Sequence, residues 1–106
     1  MIGALEQMAL LAVLRLREEA SAVAIRKELH ERTGKNVARG ALYTVLERLE
    51  GKGYLVSWFG EPMRERGGRA RRYYSVTVSG VKALRESKKA IQSLWSGLES
   101  MLGKSW

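Results

Sequence analysis

Residues 38–51 read Ala-Arg-Gly-Ala-Leu-Tyr-Thr-Val-Leu-Glu-Arg-Leu-Glu-Gly, and the rest of the chain takes its meaning from them. Placed at about 100° per residue, as an α-helix requires, they separate into two sides. Leu42, Val45, Leu46 and Leu49 fall on one side with Ala38 and Ala41; Gly40, Tyr43, Thr44 and Glu47 fall opposite, flanked by Arg39 and Arg48. The first side demands a core. The second has nothing to bury. A helix that enters the major groove of DNA needs such an outward side: small residues that do not block approach, donors near its start, and cations for phosphates. An ordinary solvated face is the plainer alternative. Gly40 argues against it, because glycine in a helix interior costs ~1 kcal/mol relative to alanine. Close approach of another backbone, of protein or nucleic acid, would account for that cost.

The neighbouring sequence supplies a partner for this helix. Ser21 is placed to cap a helix that runs to about Arg32, with Val23, Ala24, Ile25 and Leu29 on its apolar side. Thr33-Gly34 then reads as a stop, and Asn36 as a candidate cap for the third helix. A connection of about five residues containing glycine matches a helix-turn-helix. Before it, Gly3–Arg17 carries Leu5, Met8, Ala9, Ala12, Val13 and Leu16 at helical spacing, with Leu10, Leu11 and Leu14 widening the apolar surface. A helix apolar on nearly every side must be covered on nearly every side, which points to a second subunit.

Downstream, Tyr54–Phe59 and Arg72–Thr77 are rich in aromatic and β-branched residues and read as two strands. Between them lies a glycine-bearing loop. From Arg64 to Arg72 the chain places Arg64, Arg66, Arg69, Arg71 and Arg72 against the single acid Glu65, whereas the first fifty residues are nearly balanced. Such a hairpin beside a recognition helix would grip phosphates or enter a minor groove, with Gly67-Gly68 turning its tip. The alternative is a charged surface loop. Tyr73 and Tyr74 alternate across the second strand, so one faces the core and one faces out.

Thr77 or Ser79 is placed to cap a last helix reaching about Met101, about 35 Å long at 1.5 Å per residue. Leu84, Ile91 and Leu98 stand seven apart, and Leu94 and Met101 fill intervening positions, with Ser87 where another apolar residue belongs. That reads as a heptad seam for a homodimer, with packing against the protein's own core as the alternative. Trp95 lies beside the seam and is read first as an interface residue, with a site for a small aromatic effector as the alternative. The order is therefore α-α-α-β-β-α: a mainly α fold with a small β-hairpin, a winged helix-turn-helix over residues 1–77 and a long dimerisation helix over residues 78–106.

Composition narrows the function. The 106 residues are 45% hydrophobic, enough for one packed domain, and carry a formal charge of +8. A basic surface suits double-stranded DNA. There is no cysteine and no aspartate, and His30 is the only histidine, set among Glu28, Glu31 and Arg32. No thiol nucleophile, phosphate loop or metal spacing is present, so neither an enzyme nor a cofactor is expected. The longest apolar stretch, Met8–Leu16, falls far short of the ~20 residues a bilayer needs, and no basic residue precedes it as in a secretory signal. No membrane association is expected, and the location is expected to be cytoplasmic.

Over roughly residues 3–85 the sequence resembles the PadR-like family of winged-helix transcriptional regulators. GALEQMALLAVLRL at Gly3–Leu16 and AIRKELHERTGKNV at Ala24–Val37 carry part of the likeness; GALYTVLERLEGKGYL at Gly40–Leu55 and GEPMRERGGRARRYYSVTVSG at Gly60–Gly80 carry most of it. The resemblance implies that Gly40–Thr44 lies in the recognition helix and Arg64–Arg72 in a basic wing. It also implies repression of neighbouring genes, relieved in some members by a small molecule. The family often has Tyr-Gly where this chain has Ser21-Ala22, and a serine where Ala38 stands. On this reading Tyr43 anchors to a phosphate and Thr44 and Arg39 touch base edges. The rival reading is a winged-helix module whose arginines dock an acidic protein partner.

Overall fold

The computed structural model describes residues 2–61 and 70–103. Three helices, α1 (Ala4–Leu16), α2 (Ala22–Thr33) and α3 (Arg39–Gly51), precede an antiparallel pair, β1 (Leu55–Phe59) and β2 (Arg72–Val76). A longer helix α4 (Val78–Trp95) and a short α5 (Glu99–Leu102) follow, and a 3₁₀ turn at Arg17–Glu19 ends the first helix. The winged helix-turn-helix order expected from the sequence is the one observed.

Local chemistry explains the boundaries. Ser21 is extended and its hydroxyl accepts from the Ala24 N–H at 3.2 Å, opening α2. Gly34 closes it at φ +74°, its N–H donating to the His30 carbonyl at 2.9 Å. Helix α3 departs from expectation at its start. Its N-cap is Ala38, which has no side chain to offer, and no side-chain cap bond replaces it; Asn36 does not serve. At the head of α1 the Glu6 carboxylate accepts from the Gly3 N–H at 3.0 Å and from the Lys52 ammonium at 2.8 Å. Lys52 caps the far end of α3, so this pair ties the two helices together. Lys52 foremost, then the Gly3 N–H, hold the Glu6 carboxyl below the usual carboxylate range, against the opposing effect of burial.

The core is built from one side of each element: Leu10 of α1, Ile25 of α2, Leu42, Leu46 and Leu49 of α3, and Leu55 of β1 are fully buried. Ala38 and Ala41, which periodicity assigns to the same side of α3, are exposed. Burying those large side chains contributes roughly 1.5–3 kcal/mol each before entropy is counted. In the strand pair, Leu55 faces Val76 and Phe59 faces Arg72. Residues directly opposite share a face. Tyr74 accordingly points into the core, where burial pushes its phenol pKa up, while Tyr73 stacks on Trp58 on the other face at 6.3 Å. One further pairing has no local signature. Ser21 bridges Tyr73, and the Tyr74 N–H donates to the Ala20 carbonyl at 2.9 Å, so the entry to α2 lines the edge of β2.

Thr77 caps α4, accepting from the Gly80 N–H at 3.0 Å and donating to the Gly53 carbonyl at 2.6 Å. Gly80 is buried; a β-carbon there would lie 2.4 Å from the Tyr54 carbonyl oxygen and 2.7 Å from Val76 Cγ1. Ser87 corrects the heptad pattern. It is 1% exposed and packs toward the body, so its small side chain belongs to the face that meets the domain and is no defect in an outer seam. A second correction concerns length. Helix α4 stops at Trp95, and Gly97 takes φ +86°, so the chain turns before Leu98 and Met101. The Ser96-Gly97 pair breaks the helix because glycine reaches that conformation without steric cost.

Every described residue from Lys88 onward is exposed. The radius of gyration is 16.0 Å, and the long axis spans 56 Å. A compact chain of this size has a radius of about 13 Å, and the projecting half of α4 accounts for the excess. Among the described residues no helix is long and apolar enough to cross a membrane.

Candidate nucleic-acid interface

The outward side of α3 is as open as its sequence suggests. Arg39, Gly40, Tyr43, Thr44 and Arg48 are all exposed, with Tyr43 at 47%. A β-carbon built on Gly40 meets nothing within 4 Å, so nothing inside the chain requires glycine there. The Thr44 hydroxyl donates to the Gly40 carbonyl at 2.9 Å, which spends its proton on the helix and leaves its oxygen as an acceptor. With Ala38 unable to cap, the amides of the first turn also lack a side-chain acceptor. The helix is held in place from behind: Arg26 donates from Nε to the Val37 carbonyl at 3.0 Å, fixing the turn between α2 and α3.

The base of the wing meets this helix. An open concavity is lined by Ser21 and Val23 at the start of α2, Arg39 and Tyr43 of α3, and Phe59, Arg71 and Arg72 at the base of the hairpin. The third helix and the base of the hairpin therefore share one surface, with the head of α2 as a third wall. Tyr43 and Arg39 lie beside Arg71 although some thirty residues of chain intervene. Arg39, Arg48 and Arg71 have no ion-pair partner among the described residues.

Arg72 differs from its neighbour. Its Nη2 donates to Glu50 Oε1 at 3.0 Å and its Nε to the Ser57 hydroxyl at 2.9 Å. The guanidinium also sits 5.6 Å from the Phe59 ring centre and 5.9 Å from that of Tyr74. These contacts commit Arg72 to the domain. Its sequence pattern carried no sign of this, since an arginine facing a glutamate and one facing solvent look alike until the strand register is known. Arg64, Arg66 and Arg69 lie outside the described residues.

On the opposite end of the molecule, Leu84 is half-buried against the body, while Ile91, Leu94, Trp95, Leu98 and Met101 are exposed. The turn at Gly97 separates the last two from the helix that carries the others. Leu11 and Leu14 of α1 are also about half exposed. His30 is exposed on α2, and among the described residues no cluster of histidine and carboxylates is placed to hold a metal.

Comparison with known proteins agrees with this geometry. The sequence matches the transcriptional regulator PadR-like family over residues 10–86. It is 44% identical over 63 residues to the transcriptional regulator Rv3488 of Mycobacterium tuberculosis, an alignment covering 59% of this chain and 55% of that protein. The chain thus spans about half the length of that curated relative. A PadR family transcriptional regulator from Eggerthella lenta is 29% identical, with a TM-score of 0.71 over 93% of this chain and 84% of the other. A PadR-like transcriptional regulator from Bacillus cereus shares the fold at 20% identity, with a TM-score of 0.75 over 97% and 95% of the two chains.

Proposed function

This chain belongs to the PadR-like family of transcriptional regulators, and on that premise we propose that it binds double-stranded DNA as a homodimer and represses transcription from the sites it occupies. The observation that carries the reading is the common surface of Arg39 and Tyr43 with Arg71. A duplex laid on that surface would receive α3 in its major groove and the hairpin over the adjacent backbone or minor groove. Thr44 and the open backbone at Gly40 would meet base edges. Tyr43 and Arg48 would meet phosphates, and Arg64, Arg66 and Arg69 would add salt-sensitive affinity along the wing.

Dimerisation is supported by the exposed apolar residues Ile91, Leu94 and Leu98, together with Leu11 and Leu14, which a second copy would remove from water. In this arrangement residues 1–77 read DNA and residues 78–106 pair the subunits, in the cytoplasm. Trp95 packs in that interface; a flat aromatic effector that acts there would change its fluorescence.

Selection of binding sites from random duplex DNA tests the proposal. The expected product is an inverted repeat with half-sites about one helical turn apart, bound by two chains. Failure to retain any duplex at physiological salt, with capture of acidic protein instead, would favour the rival interaction module.

A further inference from the structure

We propose that the concavity between α2, α3 and the wing base seats one backbone phosphate of the bound DNA, gripped jointly by Arg39 and Arg71, with Arg72, which lines the same hollow but is held by Glu50 and Ser57, as a positioning residue. The inference rests on the DNA-binding reading above and assigns one phosphate within it.

Three observations carry it. First, the concavity has a volume of about 530 Å³, and no carboxylate lines it. Three arginines line the hollow and only Arg72 is paired with a carboxylate, so Arg39 and Arg71 repel each other, and an anion between them reverses the sign of that interaction. Second, the Nε of Arg71 is buried without a hydrogen-bond partner among the described residues. A buried donor left unpaired is costly, and a phosphate oxygen is an acceptor that also matches its charge. Third, the walls are fixed before any ligand arrives. The Ser21–Tyr73 bridge and the bond from the Tyr74 N–H to the Ala20 carbonyl hold the head of α2 to β2.

The neighbour of Arg71 sets the remaining wall. Arg71 precedes β2 and Arg72 opens it; both line the hollow, but only Arg72 has a carboxylate partner. Arg72 joins the last turn of α3, through Glu50, to both strands, through Ser57 and the Phe59 and Tyr74 rings. The Ser57 hydroxyl donates to the second Glu50 oxygen at 2.9 Å, closing the triangle. This brace fixes the separation of α3 from the wing base, and with it the distance between Arg39 and Arg71. The base-edge role expected for Arg39 from sequence gives way here to a phosphate role.

Salt dependence of affinity, measured by fluorescence anisotropy on a selected duplex, separates these roles. Each phosphate neutralised contributes about 0.9 to the slope of log affinity against log salt. If both arginines hold one phosphate, the double variant Arg39→Gln/Arg71→Gln flattens the slope by about 0.9 in total; a loss near twice that would overturn the joint grip. Arg71→Lys, which keeps the charge, should retain the slope, and matched unfolding midpoints verify folding. One neutral methylphosphonate linkage, moved along each half-site, should find a single position at which Arg71→Gln and Arg39→Gln have no further effect. Absence of any such position would also overturn the assignment. Arg72→Gln and Glu50→Gln should weaken binding severalfold at unchanged slope, and the exchange Glu50→Arg/Arg72→Glu should recover part of the loss. A slope flattened by Arg72→Gln alone would make Arg72 a contact residue and refute the brace. If the unaltered protein shows no salt-dependent binding to duplex, the DNA reading itself falls, a result distinct from all of these.

Discussion

Arg72 on β2 donates to Glu50 at the last turn of α3 across 3.0 Å, although 22 positions of sequence separate them. The side chains are 46% and 27% exposed, so solvent screens the pair and its worth is that of a surface bridge with good geometry. A double-mutant cycle of Glu50→Gln and Arg72→Gln in urea unfolding should return a coupling of about 0.5–1 kcal/mol. Strict additivity of the two losses would mean the bridge does not hold the wing to the helix.

Gly40 separates stability from function. Nothing within the chain approaches it, so Gly40→Ala should raise stability by about 0.5–1 kcal/mol through helix propensity. The same methyl should cut duplex affinity severalfold if DNA docks as proposed, where a nucleic-acid backbone or base edge would come close to Gly40. Anisotropy titrations showing unaltered affinity would remove Gly40 from the interface.

Ala38 offers the opposite expectation. Replacing it with serine supplies the capping hydroxyl that α3 lacks and should add about 1 kcal/mol to the unfolding free energy. A denaturant midpoint that does not move would show that water already satisfies those amides.

Gly80 is the position at which the domain has no slack. The Gly80→Ala methyl would press on the Tyr54 carbonyl at 2.4 Å, and backbone cannot rotate away as a side chain can. A loss of about 1–3 kcal/mol is expected in chemical unfolding, with α4 displaced from the body. Tolerance of alanine would show that α4 is less tightly seated than its contacts indicate.

Glu6 makes the fold sensitive to acid. Its folded pKa lies below the ordinary carboxylate value because the Lys52 ammonium and the Gly3 N–H favour the charged form. Its contribution is therefore complete above that ordinary value and disappears as pH falls through the lowered one. Unfolding free energies measured across this acid range should fall more steeply for the native chain than for Glu6→Gln. Parallel curves would contradict the assignment.

Much of this was written in the one-dimensional pattern. The apolar side of α3, the serine that opens α2 and the glycine that closes it are local signals, each acting over one or two helical turns. The alternation of Tyr73 and Tyr74 about the strand is equally local, and the structure places one inside and one out. Helix ends were harder. Ser96-Gly97 is a local stop signal, yet the seven-residue series Leu84, Ile91 and Leu98 runs across it, and the turn at Gly97 divides that series.

What could not be read from order along the chain are the pairings that join distant segments. Nothing local distinguishes Arg71 from Arg72, yet of the two, both lining the open hollow, only Arg72 is bound to Glu50 and Ser57. Nor does any local rule bring Ser21 to Tyr73, or explain why Ser87 interrupts an apolar series until it is found against the body of the domain. Composition and spacing fix which face of an element avoids water, since that depends on the repeat of the backbone alone. Which charge meets which depends on register and packing, and those exist only once the elements have closed on a shared core.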